Sequence, residues 1–553
     1  MNLPDRHIPY SFDAFLDRLN SFDFYADDPF LQKVLKYFAA DEFDELDRKL
    51  RNFSPKVSFR WRQLADAGGK PDNLPHIEHY DGYNRRIDRI VRSAETLQLE
   101  KEIFAEGLFS SKVTAWENLA KRYLLHQLGE FGVMCPITCT EGMLSLIRQF
   151  PDDHIPEVKA ILDHCTRGVD GELGIGAQFM SEIQGGSDIP SNLLEAVPEK
   201  GRYRLYGSKF FTSAIHADYA VVTAKVSGSD DIGTFIVPSW IVPSWMPGNK
   251  EKEIRNNFRV NRIKWKMGTA EVPTAELDYD GAICYPIGPT NRGVANAVGI
   301  VLSLSRIAVG IASAAAMTRA AREAQLYAEF RDVFGAKIAE WALANQQVRD
   351  LIHAAQRCLA GVCKIYALFQ ELGGTLQPGL VSDEPLVIRK KRFLLRELII
   401  IQKLVTAYDS VDVLRKGISI FGGHGVVEDF CALPRIFRDA AVNELWEGPR
   451  NVLLMQVYRD LGRAAEFYPP DQFLDDLLSG ASEVEKTGIA RRALEFSNIS
   501  PFQELAQASR RQAMAWEEFV VDVFRLYQET ALREVGPEPI VGPGKLSMPE
   551  IWS

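Results

Sequence analysis

The sequence predicts a mainly α-helical protein built around one central antiparallel β domain. Three observations lead there. Residues 1–174 repeat apolar positions at three-to-four spacing, in stretches such as DEFDELDRKLRNF and AWENLAKRYLLHQLGEFG. From Ala177 to about Cys284 the pattern changes to short alternating runs (YRLYG, YAVVTAKV, GTFIVPSW, AELDYDG) bounded by Gly, Pro and Ser-Asp turns. After Gly288 long helical periods return over 294–330, 337–372, 386–417 and 440–461, enough for a four-helix bundle.

The chain therefore divides into a helical domain (1–174), a β domain (175–287), a helical bundle (288–462) and a helical extension (463–553). Its 553 residues exceed what one core organises. With 46% hydrophobic and 25% charged residues, the composition excludes a disordered, collagen-like or coiled-coil chain. A net charge of −10 argues against whole-molecule attraction to nucleic acid or anionic lipid.

Seven scattered cysteines without a Cys-x-x-Cys pair argue against a disulfide framework or zinc ribbon and point to a reducing, cytoplasmic setting. The N-terminal MNLPDRHIPYSFDAF has no apolar core of signal-peptide length. Residues 294–317 are apolar enough to cross a bilayer, but Arg306 lies in their middle and Gly299, Gly310 and Ala314–Ala316 crowd them. That suits a helix buried among helices, so no membrane partner is expected.

The chemistry-bearing motifs are few. There is no P-loop, no Gly-x-Gly-x-x-Gly between a strand and a helix, and no Gly-x-Ser-x-Gly elbow. His76 and His79 form the one close histidine pair; they read as a Pro/Asn-containing loop without a third ligand, so no metal is expected. The informative segment is QFMSEIQGGSD, from Gln178 to Asp188. A hydroxyl at Ser181, two glycines and Ser187-Asp188 make a loop whose backbone can approach a planar or anionic ligand.

Read with three further segments, this loop resembles the acyl-CoA dehydrogenase family. Met-Ser-Glu-x-x-Gly-Gly-Ser-Asp is similar to that family's flavin-binding loop, and Gly207-Ser-Lys-Phe-Phe-Thr-Ser213 to the strand that walls the flavin ring. Arg331-Asp-Val-Phe334-Gly335 resembles its Arg-x-x-Phe-Gly motif. Gly422-Gly-His-Gly425, Arg438-Asp439-Ala440 and Trp446-Glu447-Gly448 resemble its C-terminal signature. Order and spacing fit across roughly 175–460. YDGYNRRIDRI from Tyr80, GVMCPIT from Gly132 and the C-terminal extension are similar to the AidB-like branch. The resemblance implies a helical domain, a β-barrel-like domain and a four-helix bundle, followed by the extension.

It also implies FAD as cofactor and an acyl-CoA substrate, with electrons passed to an electron-transfer flavoprotein. Removing hydrogen next to a thioester carbonyl needs a base and a hydride acceptor, and side chains supply only the first. Glu447 holds the family's base position, taking the α-proton. The resemblance places Gln178, Met180, Ser181, Phe211, Thr212, Ser213, Trp446 and Gly448 around the flavin, and Gly186 and Ser187 at the pyrophosphate or the ligand entrance. Arg331 and Phe334 would serve the adenosine half across a subunit interface, with Gly422, Gly423 and Asn451 completing that pocket. This requires a homo-oligomer, dimer or tetramer. Arg306 matches an arginine lining the substrate site, and as a lone cation in an apolar helix it needs a partner, Glu447 or Asp439.

Several positions depart from the family pattern. Phe211 replaces Trp, His424 replaces Asn, Pro449 replaces Thr or Ser, and Ser305 leaves the alternative base position unfilled. Two other readings stand beside the dehydrogenase. One is a DNA-associated AidB-like flavoprotein of the alkylation response. The other is a flavin oxidase, a chemistry that usually places Asp at the base position. From Asp460 onward nine Lys/Arg face sixteen Asp/Glu, with clusters only at Arg491-Arg492 and Arg510-Arg511, which argues against duplex binding.

Overall fold

The alternating segments of the middle region become a seven-stranded sheet in the computed structural model of the protein, which describes residues 10–153, 155–169, 171–242, 254–379, 383–493, 496 and 507–540. The two longest strands, Arg202–Ser213 and Thr274–Pro286, pair antiparallel with Ser213 opposite Thr274. Ile232–Pro238 pairs with both Tyr219–Val226 and Thr274–Pro286, closing the sheet into a barrel around Ala196, Leu205, Val222, Phe235 and Leu277. Two pairings differ from the antiparallel expectation: Gly176–Phe179 and Glu195–Glu199 both run parallel to Tyr219–Val226. Alternation in the sequence fixes the face each residue takes and says nothing about strand direction.

His76–Tyr80 and Arg86–Val91 form a hairpin where the sequence predicted a loop. Its strands are short and polar, so the signal was weak. Asp81 organises the turn, its Oδ1 accepting the backbone N–H groups of Tyr83 and Arg85, while Ile77 and Ile90 pack against the barrel core. The three-residue separation of His76 and His79 along a strand turns them to opposite faces. His79 instead shares a 2.7 Å hydrogen bond with Asp88.

Three long helices, Ser303–Phe330, Ala342–Glu371 and Leu386–Phe421, pack on one another. The first continues an N-terminal turn at Gly293–Asn296 and a π-helical stretch at Ala297–Leu302. The combined Gly293–Phe330 run has 89% of its most apolar window buried within the protein.

The fourth bundle position corrects the sequence reading, because 440–461 is not one helix. Leu433–Asn443 ends, a turn follows at 444–449, and Arg450–Ala464 begins. Pro449 has no N–H to donate and drives Gly448 out of helical geometry, to φ +108°. The extension covers the bundle: Gln507–Val535 lies along Ala342–Glu371, burying Trp516, Phe519 and Tyr527. The N-terminal helices join the same core through Phe15, Trp61 and Tyr123.

Candidate active site

The barrel and the bundle meet at a cavity of about 1410 Å³. One wall is the Gln178–Ile189 loop with strand residues Phe211 and Ser213. The other is the Ala297–Leu302 π-turn, the start of Ser303–Phe330 and the turn at 444–449. Helix Phe131–Gln149 closes one side with Cys135 and Cys139.

Glu447 sits in the left-handed region at φ +63°, unusual for a residue with a Cβ. Two buried cations pin the backbone around it. Lys403 Nζ donates to the carbonyls of Glu444 at 2.8 Å and Gly448 at 2.7 Å, and Arg306 Nε donates to the carbonyl of Glu447 at 3.1 Å. Arg306 thus finds its partner at Glu447, through the backbone. Asp439 belongs to a separate buried group, accepting the N–H of Thr269 at 2.5 Å close to Arg435 and Glu271.

Glu447 lines the cavity. Its Oε1 accepts from Gln178 Nε2 at 2.9 Å, while Oε2 is buried without a partner among the described residues. Burial pushes this carboxyl up to about 7; Arg306, Lys403 and the Gln178 hydrogen bond pull in the opposite direction and are outweighed. A carboxylate poised near neutrality, with one unpartnered oxygen in a turn that lines a cavity, is equipped to accept a proton.

The opposite wall is set by alternation beyond a bulge, since Lys209 pairs with Leu277 and Thr212 with Ala275, and Phe210 and Phe211 between them both line the cavity. Phe211 is 51% exposed and turns to the cavity. Ser213 Oγ lies 3.0 Å from Thr274 Oγ1 beside it. Thr212, expected at the cofactor, corrects the prediction: it faces the barrel interior, fully buried, its hydroxyl donating to the carbonyl of Ala275 at 2.8 Å. Residues flanking it on a strand must take the other face. Gly186 packs so closely on Ser181 that a Cβ there would come within 2.4 Å of Ser181 Oγ.

The loop itself hangs on a buried ion pair, Glu182–Lys209 at 2.8 Å. Glu182 also accepts the N–H groups of Leu193 and Leu194, and Lys209 donates to the carbonyl of Met180 at 3.0 Å. These two residues sit inside the motifs that the sequence singled out, yet their work is to hold the loop.

Of the predicted site residues, Gln178, Met180, Ser181, Gly186, Ser187, Phe211, Ser213, Arg306, Trp446, Glu447 and Gly448 line this cavity. Arg331, Phe334, Gly422, Gly423 and Asn451 do not. The first four gather at one end of the bundle, where Arg331 lies over the Tyr10 ring, Phe334 is 97% exposed, and His424 bonds the Tyr327 hydroxyl. Sequence reasoning missed Lys403, although a lone lysine in the apolar run IIIQKLV carries the same signal that exposed Arg306. It also missed the cations Arg292, Arg396, Arg459 and Arg463 on the cavity lining; these are dispersed along the chain and converge only by folding.

The acyl-CoA dehydrogenase middle-domain model matches residues 177–282, and the family's C-terminal-domain model matches 291–462. The chain belongs to the acyl-CoA dehydrogenase family. Over 521 residues it is 27% identical to acyl-CoA dehydrogenase family member 11 of Caenorhabditis elegans, covering 91% of this chain and 81% of that protein. It is also 27% identical to the putative acyl-CoA dehydrogenase AidB of Escherichia coli, covering 80% and 78%.

Its fold is shared with C. elegans ACDH-11 in complex with C11-CoA (TM-score 0.75, 22% identity, 98% and 96% covered). A Bacillus anthracis acyl-CoA dehydrogenase complexed with FAD is similar too (TM-score 0.63, 17% identity, 91% and 80% covered). The family is one of oxidoreductases acting on acyl-CoA. The barrel wall, with an aromatic face at Phe211, hydroxyls at Ser181 and Ser213 and a close-packed glycine loop, fits a flavin.

Proposed function

We propose that the protein dehydrogenates an acyl-CoA thioester between Cα and Cβ, with Glu447 as the base. The observation that carries this reading is the Glu447 carboxylate, held in a strained turn that lines the cavity, raised towards neutrality by burial and bonded through Oε1 to Gln178. FAD held in the cavity lined by Phe211 and the 444–449 turn would supply the hydride acceptor that side chains lack. Ser181 and Ser213 would offer hydroxyls to its ring, Gly186 and Ser187 would border its phosphates or the entrance, and Trp446 and Gly448 would shape the slot.

The α-proton passes to the Glu447 carboxylate. Arg306 and Lys403 keep the turn's carbonyls occupied, so the carboxylate does not swing away. Arg292, Arg396, Arg459 and Arg463 give a local cationic lining on a chain of net charge −10, suited to the phosphates of CoA. The C11-CoA complex of the C. elegans neighbour supports the substrate class, and the FAD complex of the B. anthracis neighbour supports the cofactor.

In this reading the protein works in the cytoplasm as a homo-oligomer, a dimer or tetramer. Arg331, Phe334, Gly422, Gly423 and Asn451 then meet the adenosine half of a neighbouring subunit's cofactor, and an electron-transfer flavoprotein takes the electrons.

The test is anaerobic bleaching of the purified holoprotein by a panel of acyl-CoAs. Glu447→Gln is expected to slow bleaching by about 10²–10⁴-fold while retaining FAD. Because the base must be ionised, the wild-type rate rises with pH and levels off above about 7. Unchanged bleaching in Glu447→Gln rules out this base. Fast reoxidation by oxygen with stoichiometric peroxide, and none by an electron-transfer flavoprotein, moves the protein to the oxidase class.

A further inference from the structure

The barrel wall of the cavity contains a cation that the proposed reaction does not use. Lys266 belongs to the 264–273 connection between strands Phe258–Ile263 and Thr274–Pro286, and it lines the cavity with Ser213 and Thr274. Its ammonium gathers four oxygens: the Thr269 carbonyl at 2.7 Å, the Thr269 hydroxyl at 3.1 Å, the Val272 carbonyl at 3.0 Å and the Thr274 hydroxyl at 2.9 Å. No carboxylate is among these four, so the charge is solvated by the protein without being neutralised by them.

The contact with Thr274 reaches further. Thr274 Oγ1 accepts from the lysine and lies 3.0 Å from Ser213 Oγ, nearer than its 3.4 Å to the Val272 carbonyl. The Thr274 hydrogen is therefore best placed on Ser213, which leaves Ser213 its own hydrogen for the cavity.

We propose that Lys266 is a positioning residue that raises the reduction potential of the bound flavin, through its charge and through the Thr274–Ser213 hydroxyl pair. This deepens the dehydrogenase reading and rests on its flavin site. A flavin gains electron density on reduction, so a nearby cation and an outward-pointing hydroxyl hydrogen both favour the reduced form. The ammonium is committed to protein oxygens and needs no contact with the ligand. A unit charge about 10 Å away inside a protein is enough to shift such an equilibrium tenfold.

The charge is also conditional. Burial pushes the Lys266 ammonium down to about 8, opposed by Cys135, Glu271 and Asp439. These face it from the Phe131–Gln149 helix, from its own connection and from the Leu433–Asn443 helix, with Arg435 and Glu130 beside the two carboxylates. The cation is thus present at neutral pH and lost as pH rises past about 8.

The experiment reduces the FAD-loaded full chain photochemically against a dye of known potential, so no acyl-CoA enters it. Lys266→Met is expected to lower the equilibrium constant for two-electron reduction about tenfold, or ~30 mV, at about pH 6.5. At about pH 9.5, where the wild type has lost the charge as well, the gap should shrink below about twofold. Lys266→Arg, whose guanidinium keeps its proton throughout, should match the wild type at the lower pH and exceed it at the higher.

A Lys266→Met potential equal to that of the wild type at both pH values would make Lys266 a mere support of its turn and overturn the proposal. A gap of one size at both values would overturn it as well. If neither variant folds, the pH series is run on Glu447→Gln, which removes the titrating carboxylate of the catalytic turn. A potential that falls more steeply between about pH 8 and 9 then supports the proposal, and an unbroken slope overturns it. The expected potentials on a flavin that no acyl-CoA bleaches would support Lys266 and sink the dehydrogenase reading. A wild type that never holds FAD would sink both.

Discussion

On the barrel wall of the cavity, side chains reach the site by strand alternation: Phe211 and Ser213 face in, Thr212 faces out, and a buried Glu182–Lys209 pair anchors the adjoining loop. On the bundle wall no regular element presents Glu447. It rides a break between two helices, at positive φ, and two buried cations from neighbouring helices bind the carbonyls of that break. The barrel wall is therefore tolerant, since each side chain is placed by a ladder that survives its removal. The bundle wall is brittle, since the turn that carries the base is held by a few buried donors, Lys403 and Arg306 on its carbonyls and Gln178 on its carboxylate.

The sharpest way to break the comparison is Lys403→Met. It removes the donor to Glu444 and Gly448 and leaves two buried carbonyls unpaired. We expect flavin reduction to fall about 100-fold with FAD still bound. Losing a nearby positive charge also raises the Glu447 carboxyl further, so the rise of rate with pH moves to higher pH. Stopped-flow pH profiles of both proteins read this. A fall in rate with an unmoved profile would mean that Lys403 acts only on the fold.

The same brittleness has a thermodynamic side. The folded protein holds Glu447 at about 7, above the ordinary carboxyl value of 4.5. The folded state therefore binds the extra proton between those two values, and stability drains away as pH rises through that window. Above it the penalty is complete. Glu447→Gln should stabilise the FAD-free protein at pH 8 by about 2 kcal/mol, after allowance for water in the cavity, and by little near pH 4. Denaturant midpoints at the two pH values measure it, and equal differences would show that the carboxylate is comfortable in its turn.

How much of this was legible follows the same division. Motifs on the barrel wall were readable because a loop and a strand keep their residues contiguous, so QFMSEIQGGSD and GSKFFTS carried the site in one dimension. Thr212 was misplaced because the motif was read as a block and its two-residue period was ignored. On the bundle wall Glu447 was found through its neighbours Trp446 and Gly448, but the helix break was read through, although Gly448-Pro449 announced it. Lys403 had a readable signal that was passed over, whereas Arg292, Arg396, Arg459 and Arg463 come from three separate segments that only packing brings together. The polar hairpin at 76–91 escaped because its strands lack the apolar alternation on which such readings depend.

On the tolerant wall the effects shrink. Gly186→Ala brings a methyl to within 2.4 Å of Ser181 Oγ, so that hydroxyl must turn away from its present position. FAD affinity should fall about tenfold, read by fluorescence titration of the FAD-free protein, while the rate of flavin reduction at saturating FAD stays within a factor of a few. A large loss of rate at saturation would make this wall as exacting as the other.

The finest test sets Thr212 against its neighbour. Thr212→Val removes the hydroxyl bonded to the Ala275 carbonyl inside the barrel, which should cost about 1 kcal/mol of stability and leave the flavin absorption spectrum untouched. Ser213→Ala removes a hydroxyl on the cavity face, where Thr274 and Lys266 keep the polar group supported, so stability should barely change while the flavin bands shift. Each substitution deletes one oxygen at adjacent positions of one strand, so the pair isolates the face from the chemistry. Interchanged outcomes would mean that the strand presents the opposite face to the flavin, and the alternation that organises this wall would have to be shifted by one residue.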